Sequence, residues 1–246
     1  SMHRPDLGCI LLPEPAVTTN GTAVMKEEPD MDVSASDTAV VITDPQNDFL
    51  AETGVVWGLV GDSVTENNTV ANIGDLLKAA KSADFDVFIS PHYYYPTDHG
   101  WHFGGTVEKM MHEIGMFDRK GALTTDGFEG SGADWLPAYA DMINDGKTVI
   151  ASPHKVYGPE SNDLALQLRK RGKSKVILAG MSANLCVEAH MRELLEQGFE
   201  VAVVKDATAG PRHPELGDGY KVALANFGFM ANDVIATEDA VKAIKG

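Results

Sequence analysis

Cysteine is nearly absent from this chain, since its 246 residues contain only Cys9 and Cys186. One cysteine near the beginning and one inside the chain do not make a disulfide framework, so we expect reduced thiols. No apolar run approaches the length of a membrane span, and residues 9–12 are too short for the apolar region of a signal peptide. The sequence therefore predicts a cytoplasmic protein without a membrane segment.

Basic residues are also scarce, with 20 lysines and arginines against 36 aspartates and glutamates and a net charge of −16. A surface this acidic disfavours nucleic acid and anionic membranes as partners. Hydrophobic residues make up 43% of the chain, which is typical of a globular protein with a sizeable core. Residues 1–36 show no apolar period, so we predict an N-terminal extension or arm there and one folded domain over residues 37–246.

Beyond residue 37, short apolar stretches alternate with amphipathic ones, as in parallel sheets covered by helices on both faces. We therefore predict an α/β fold, a doubly wound three-layer α/β/α domain with a six-stranded parallel sheet. The predicted strands are 39–43, 86–90, 148–151, 175–179, 200–204 and 233–236, and the predicted helices are 69–83, 161–171, 185–197, 216–227 and 238–244. Residues 44–68 and 91–145 interrupt this alternation, and long irregular segments often carry binding sites.

Cys186 lies where the fourth predicted strand passes into a helix. Ligands of open α/β sheets bind at this carboxyl edge, and the positive end of a helix dipole favours a thiolate over a thiol. A free cysteine is also a common core residue. The position of Cys186 therefore leaves a catalytic and a structural role equally open.

Asp44 and Lys155 follow the first and the third predicted strands. Alone, an aspartate before a proline is typical of a turn, and a lysine is usually a solvated surface charge. Strands one and four are often neighbours in doubly wound sheets, so Asp44 could lie close to Cys186. A Lys155 ammonium facing both groups would lower the pKa of the thiol and hold the carboxylate in place.

Together, these three residues resemble the pattern of the isochorismatase-like cysteine hydrolase superfamily. Asp44 begins the motif Asp-Pro-Gln-Asn-Asp-Phe, Lys155 follows the third predicted strand, and Cys186 lies in Gly-Met-Ser-Ala-Asn-Leu-Cys-Val. The superfamily includes nicotinamidases, N-carbamoylsarcosine amidohydrolase and ureide-cleaving enzymes, and the resemblance covers about residues 38–237. It implies that Cys186 is the nucleophile, Asp44 the general base and Lys155 the third member of a catalytic triad.

The same resemblance implies a cis peptide bond between Met181 and Ser182, before the cysteine. The backbone N–H groups of Ser182 and Cys186 would then form an oxyanion hole for the substrate oxygen. Non-proline cis bonds are costly and occur mainly at functional sites.

The segment after the second strand departs from the metal-binding members of the family. Nicotinamidase-like members have Asp-x-His there, with a further histidine, whereas this chain has Ser90-Pro91-His92, followed by His99 and His102. Because the carboxylate ligand is missing, we expect no metal and no cofactor. We expect the substrate instead to contact His92, Tyr94, Trp101, His102 and Tyr157.

The resemblance thus implies hydrolysis of a C–N bond in a small carboxamide, carbamoyl or ureide compound by a Cys-Asp-Lys triad through a thioester. It also implies a homo-oligomer, a dimer or tetramer. Three alternatives stay open: a metal-assisted nicotinamidase-type amidase, an isochorismate-type vinyl-ether hydrolase, and a catalytically silent binding protein of the same fold. The particular substrate is not identified by the sequence.

Overall fold

The computed structural model describes residues 31–246, and a six-stranded sheet forms the centre of this part of the chain. Its strands are β1 (Thr38–Thr43), β2 (Asp86–Ser90), β3 (Val149–Ile150), β4 (Lys175–Met181), β5 (Glu200–Ala209) and β8 (Asp233–Ile235). They lie in the order β3-β2-β1-β4-β5-β8, and every neighbouring pair is parallel. The predicted doubly wound parallel sheet is therefore confirmed. A short antiparallel pair, β6 (Arg212–His213) and β7 (Gly217–Asp218), follows β5.

Helices cover both faces of the sheet, and the central strand shows why. Along β1, Val40 and Ile42 belong to one buried cluster, while Ala39 and Val41 belong to the other, because side chains alternate between faces. Fully burying each large apolar side chain stabilises the fold by about 1.5–3 kcal/mol. The first cluster includes residues of α1 (Asn47–Leu50), α2 (Trp57–Glu66), α3 (Thr69–Ser82), α4 (Thr106–Ile114), α5 (Pro137–Ile143) and α9 (Thr237–Lys245). The second includes residues of α6 (Leu164–Lys170), α7 (Glu188–Glu196) and α8 (Gly219–Met230).

Four helices lie within the two segments that were expected to be irregular. Residues 44–68 contain α1 and α2, and residues 91–145 contain α4 and α5. Gly58 and Gly61 lower the helix propensity of α2, which is why its sequence does not look helical. Burial of Val60 and Val64 against the core stabilises that helix nevertheless.

The last residues of the predicted arm lie against the domain. Met31 is buried in the first core cluster, and the side chains of two β4-region lysines reach the same segment. Lys173 Nζ donates to the Ala35 carbonyl at 2.6 Å, and Lys175 Nζ donates to the Asp32 carbonyl at 2.8 Å. Residues 1–30 lie outside the described part, so an arm over a domain or a neighbouring subunit stays a prediction. Within residues 31–246, no helix is long and apolar enough to cross a membrane.

Strands β1 and β4 approach each other closely at Gly180. Its φ of 114° is rarely adopted by residues with side chains, and an added Cβ would lie 2.1 Å from the Thr43 carbonyl oxygen. Glycine at this position therefore allows the strand carrying the cysteine to pair with the strand carrying the aspartate.

We expect Gly180→Ala to lower the free energy of unfolding by more than about 2 kcal/mol, since it adds a backbone clash to an unfavourable φ. Gly172→Ala is the matched control, because its φ is 72° but an added Cβ would meet nothing within 4 Å. That control should cost only about 1 kcal/mol. Urea denaturation measures both, and equal losses would contradict the close approach.

Candidate active site

Four side chains that can act as acids, bases or metal ligands meet at the carboxyl edge of the sheet. Asp44 follows β1, His92 follows β2, His154 follows β3, and Cys186 lies in the turn after β4. All four are buried, and one ligand atom from each lies within 4.8 Å of the others. The strand order dictates this meeting, because β1 lies between β2 and β4.

Cys186 is carried by a π-helical turn, Ala183–Val187, that leads into α7. The preceding peptide bond between Met181 and Ser182 is cis, as the resemblance implies. Burial, together with the neighbouring Asp44, raises the pKa of the Cys186 thiol well above its ordinary value, although hydrogen bonds from the Ser182 and Cys186 N–H groups oppose this. The expected thiolate is therefore wrong for the resting site, and the thiol needs a base to become a nucleophile.

Asp44 is placed to be that base. Its backbone N–H donates to the Ser90 carbonyl at 3.1 Å, and its Oδ1 accepts a hydrogen bond from His154 Nε2 at 2.8 Å. Burial raises the pKa of Asp44 to about 6, while His92, a hydrogen bond with Cys186 and His190 act in the opposite direction. The carboxylate is therefore mainly ionised at neutral pH and can accept the thiol proton.

His154, and not Lys155 as the resemblance implies, lies against Asp44. The chain here is extended, with the His154 N–H donating to the Pro91 carbonyl at 2.9 Å, and successive side chains of an extended segment point to opposite sides. Since His154 faces Asp44, Lys155 faces away. The Lys155 Nζ donates to Asp98 Oδ2 at 2.6 Å and to the Tyr93 carbonyl at 3.0 Å.

Both histidines next to Asp44 are neutral. Burial lowers the pKa values of His92 and His154 to about 3. His92 Nε2 lies 3.1 Å from the Lys155 carbonyl, which can only accept, so the proton is on Nε2. By the same reasoning His154 Nε2 donates to the Asp44 carboxylate. The centre thus contains one anion and no buried cation from the described residues that form it.

His190 contacts the turn that carries Cys186, although the sequence indicates only an ordinary helical position for it. Its Nδ1 donates to the Cys186 carbonyl at 2.7 Å, and its Nε2 accepts from the Ser90 hydroxyl at 2.7 Å. Asn162 Nδ2 in turn donates to Ser90 Oγ at 2.9 Å. The spacing of four residues from Cys186, which places both side chains on one helical face, was the available signal.

The family's metal position does not reassemble in this chain. Ser90 is held by His190 and Asn162, and His99 Nε2 lies 2.8 Å from Asp118 Oδ1. His102 lines a different surface depression. The donors that do converge are those of Asp44, His92, His154 and Cys186, whose carboxylate, imidazoles and thiol are ligands that Zn²⁺ accepts.

A cavity of about 390 Å³ opens onto Cys186. His92 and Tyr157 line it, in agreement with their expected positions. Asn184, Thr106 and His213 also line it, and the remaining lining is almost entirely aliphatic, methionine or phenylalanine.

Tyr94, Trp101 and His102 do not line this cavity, contrary to expectation. Tyr94 is fully buried, with its ring centroid 4.6 Å from that of His92 and 4.4 Å from that of His112. Trp101 and His102 lie in a separate depression. Helix α4, which the sequence did not predict, causes the difference: Val107, Met110 and Met111 face the cavity, whereas Glu108, Lys109 and His112 face the depression.

Comparison with known proteins agrees with this fold. Residues 38–239 match the sequence model of the Isochorismatase domain, which is most of the chain. The chain therefore belongs to the isochorismatase family and is a hydrolase of that family.

Ureidoacrylate amidohydrolase RutB of Rhizobium rhizogenes is 28% identical over 219 residues, which cover 82% of this chain and 83% of the relative. RutB of Yersinia enterocolitica is 28% identical over 200 residues, covering 76% and 82%. A cysteine hydrolase from Pseudomonas syringae pv. phaseolicola superposes with a TM-score of 0.72 at 21% identity, covering 89% of this chain and 98% of that one. N-carbamoylsarcosine amidase from Thermoplasma acidophilum has a TM-score of 0.59 at 16% identity, covering 82% and 97%. These two structures are similar in fold.

We expect Asp44→Asn to stabilise the protein at neutral pH. The folded pKa, about 6, is raised above the ordinary 3.8, so the contribution of Asp44 to the free energy of unfolding falls as pH rises through this interval. Above pH 6, the free energy of unfolding of the variant should exceed that of the parent by up to about 3 kcal/mol, and this difference should vanish near pH 4.

Urea denaturation of both proteins at about pH 8 and about pH 4 gives this difference, because titrating groups remote from Asp44 contribute equally to both proteins. Asp163→Asn is the control with the opposite sign: its pKa is lowered, and its carboxylate accepts from Gln167 and the Ser152 N–H. That variant should be less stable than the parent at pH 8. A pH-independent difference for Asp44→Asn would contradict a buried, raised-pKa carboxyl group.

Proposed function

We propose that this protein hydrolyses a C–N bond of a small carboxamide, carbamoyl or ureide compound, with Cys186 as nucleophile and Asp44 as general base. The observation that carries the proposal is the buried Cys186–Asp44–His154 arrangement facing a mostly apolar cavity. The RutB relatives, whose names identify them as amidohydrolases, support the same reaction type.

In the first half of the reaction, Asp44 removes the proton from the Cys186 sulfur, and the sulfur attacks the substrate carbonyl carbon. The carbonyl oxygen becomes an oxyanion, which the Ser182 and Cys186 N–H groups stabilise. Each donor of this kind contributes a factor of about 100–1,000 to the rate. Asp44 then gives its proton to the departing nitrogen, the C–N bond breaks, and an acyl thioester remains.

In the second half, Asp44 removes a proton from water, and the resulting hydroxide attacks the thioester carbon. The C–S bond breaks, the acid product leaves, and the sulfur recovers its proton from Asp44. Both halves use one carboxyl group alternately as base and acid, which works best when its pKa is near the working pH. The raised pKa of Asp44, about 6, suits this double role.

His154 orients the carboxylate in this mechanism. Its Nε2–H holds Asp44 Oδ1, which leaves Oδ2, without a hydrogen-bond partner other than the Cys186 thiol among the described residues, free for the thiol proton. A lysine would stabilise the carboxylate more strongly and lower its pKa. A neutral histidine keeps Asp44 in place while leaving it basic enough to accept a proton.

A metal-assisted amidase is the second candidate, favoured by the convergence of the Asp44, His92, His154 and Cys186 donors. Activity that disappears on chelation and returns with Zn²⁺ would support it. Vinyl-ether hydrolysis and a silent binding role remain alternatives, although both leave the cysteine–carboxylate pair without a task. A homo-oligomeric state also remains a proposal.

The proposal is tested by an ammonia-release screen over amides, carbamoyl compounds and ureides, run with and without EDTA. We expect chelator-independent turnover that Cys186→Ser reduces at least about 1,000-fold, because a hydroxyl is a far weaker nucleophile. Circular dichroism and thermal unfolding verify that the variant folds. Undiminished turnover by folded Cys186→Ser and Cys186→Ala would overturn the assignment.

The role of His154 is tested against its sequence neighbour. His154→Leu removes the donor to Asp44 and should lower kcat about 100-fold or more, whereas Lys155→Met should lower it less than about tenfold. His154→Gln, which can still donate to the carboxylate, should recover part of the activity. Loss of activity in Lys155→Met but not in His154→Leu would restore lysine as the triad member.

A further inference from the structure

The cavity that opens onto Cys186 has an uncharged wall. None of its lining residues within the described chain is a lysine, arginine, aspartate or glutamate. Apart from His92, Ser182 and Cys186 at the reaction centre, most of the wall is apolar. Its apolar members are Phe49, Val56, Leu59, Val60, Val107, Met110, Met111, Met116, Leu185, Pro211, Leu216 and Val222.

Two polar side chains in the wall have acceptor atoms that are already engaged. Asn184 Oδ1 accepts from the Ser182 hydroxyl at 3.3 Å. His213 Nδ1 accepts from the N–H groups of Glu215 and Leu216, both at 3.2 Å. Among the described residues, the wall therefore presents no lysine or arginine that could bind a carboxylate.

Two cations on neighbouring segments, Lys155 and Arg212, are paired elsewhere. Lys155 Nζ lies 2.6 Å from Asp98, away from the centre. Arg212 Nη1 donates to Glu66 Oε1 at 2.9 Å, its Nη2 contacts the same carboxylate, and Asp218 lies on its other side. Neither side chain is available to a ligand in the cavity without giving up an ion pair.

The reaction centre itself disfavours an anionic ligand. Asp44 carries a buried negative charge, and the neutral His154 occupies the place where a lysine would have compensated that charge. A carboxylate entering an apolar cavity loses its hydration without gaining a partner and is repelled by Asp44. An apolar group gains free energy from the same transfer.

We propose that the substrate is a neutral, hydrophobic carboxamide whose aliphatic or aromatic group fills this cavity. The inference rests on the proposed amidohydrolase function. It separates this chain from relatives named for ureidoacrylate, a substrate that carries a carboxylate. Met110, Met111 and Met116 give the wall an adaptable shape, so amides with branched and aromatic groups fit alike.

Three amides of similar size test the proposal: 6-methylheptanamide, which is apolar; adipamide, which is neutral and polar; and adipamate, in which a carboxylate replaces the isopropyl group. We expect kcat/KM for 6-methylheptanamide to exceed that for adipamate at least about 100-fold, with adipamide between them. Equal values or a preference for adipamate would overturn this inference while leaving the proposed function intact. Absence of Cys186-dependent hydrolysis of any amide or ureide would overturn the proposed function itself.

A charge placed in the wall provides the second test. Val222 lines the cavity on α8 with 55% of its surface exposed, so Val222→Arg is compatible with folding. We expect it to reduce the preference for 6-methylheptanamide over adipamate about tenfold, because arginine pairs with the carboxylate. Phe229→Arg on the same helix, 89% exposed and outside the lining, is the control and should leave the preference unchanged. An unchanged preference in folded Val222→Arg would contradict selection by the uncharged wall.

Discussion

The site depends on keeping one carboxylate, Asp44, in a completely buried place. Removing a carboxylate from water is costly, and the protein offsets this cost only in part, through the His154 hydrogen bond and the neighbouring thiol. The remaining penalty appears as a raised pKa. A fully compensated carboxylate would be more stable and a poorer base, so the incomplete compensation links the stability of the fold to the chemistry of the site.

The parallel sheet makes this arrangement possible without a long loop. Asp44 follows the central strand β1, and its two neighbours β2 and β4 deliver His92 and Cys186 from either side. The alternation of apolar strands and amphipathic helices was enough to predict this topology, because strands that are apolar on both faces are typical of parallel sheets covered by helices. The positions of Asp44 and Cys186 relative to strand ends were therefore readable from the sequence.

The residue after β3 that faces Asp44 could not be predicted from the sequence, because successive side chains of an extended chain point to opposite sides. His154 and Lys155 are adjacent, and the hydrogen bond from the His154 N–H to the Pro91 carbonyl belongs to the register in which His154 faces Asp44. A shift of one residue exchanges a neutral imidazole for an ammonium. Similarly, the sequence did not predict α4, because this helix is short and half exposed. The separation of Trp101 from the cavity, which α4 causes, was therefore not predicted either.

The exchange of lysine for histidine has a consequence beyond the triad. With Lys155 paired to Asp98, the reaction centre retains the negative charge of Asp44, and no lysine or arginine of the described chain lines the cavity to balance it. In a low-dielectric site such a charge acts over the length of a small ligand. In the proposed mechanism, the chemistry of bond cleavage and the choice of ligand are then coupled, because the carboxylate that activates the thiol also repels anions. The reaction centre and the apolar wall of the cavity are both consistent with the same class of ligand, a neutral amide attached to a hydrophobic group.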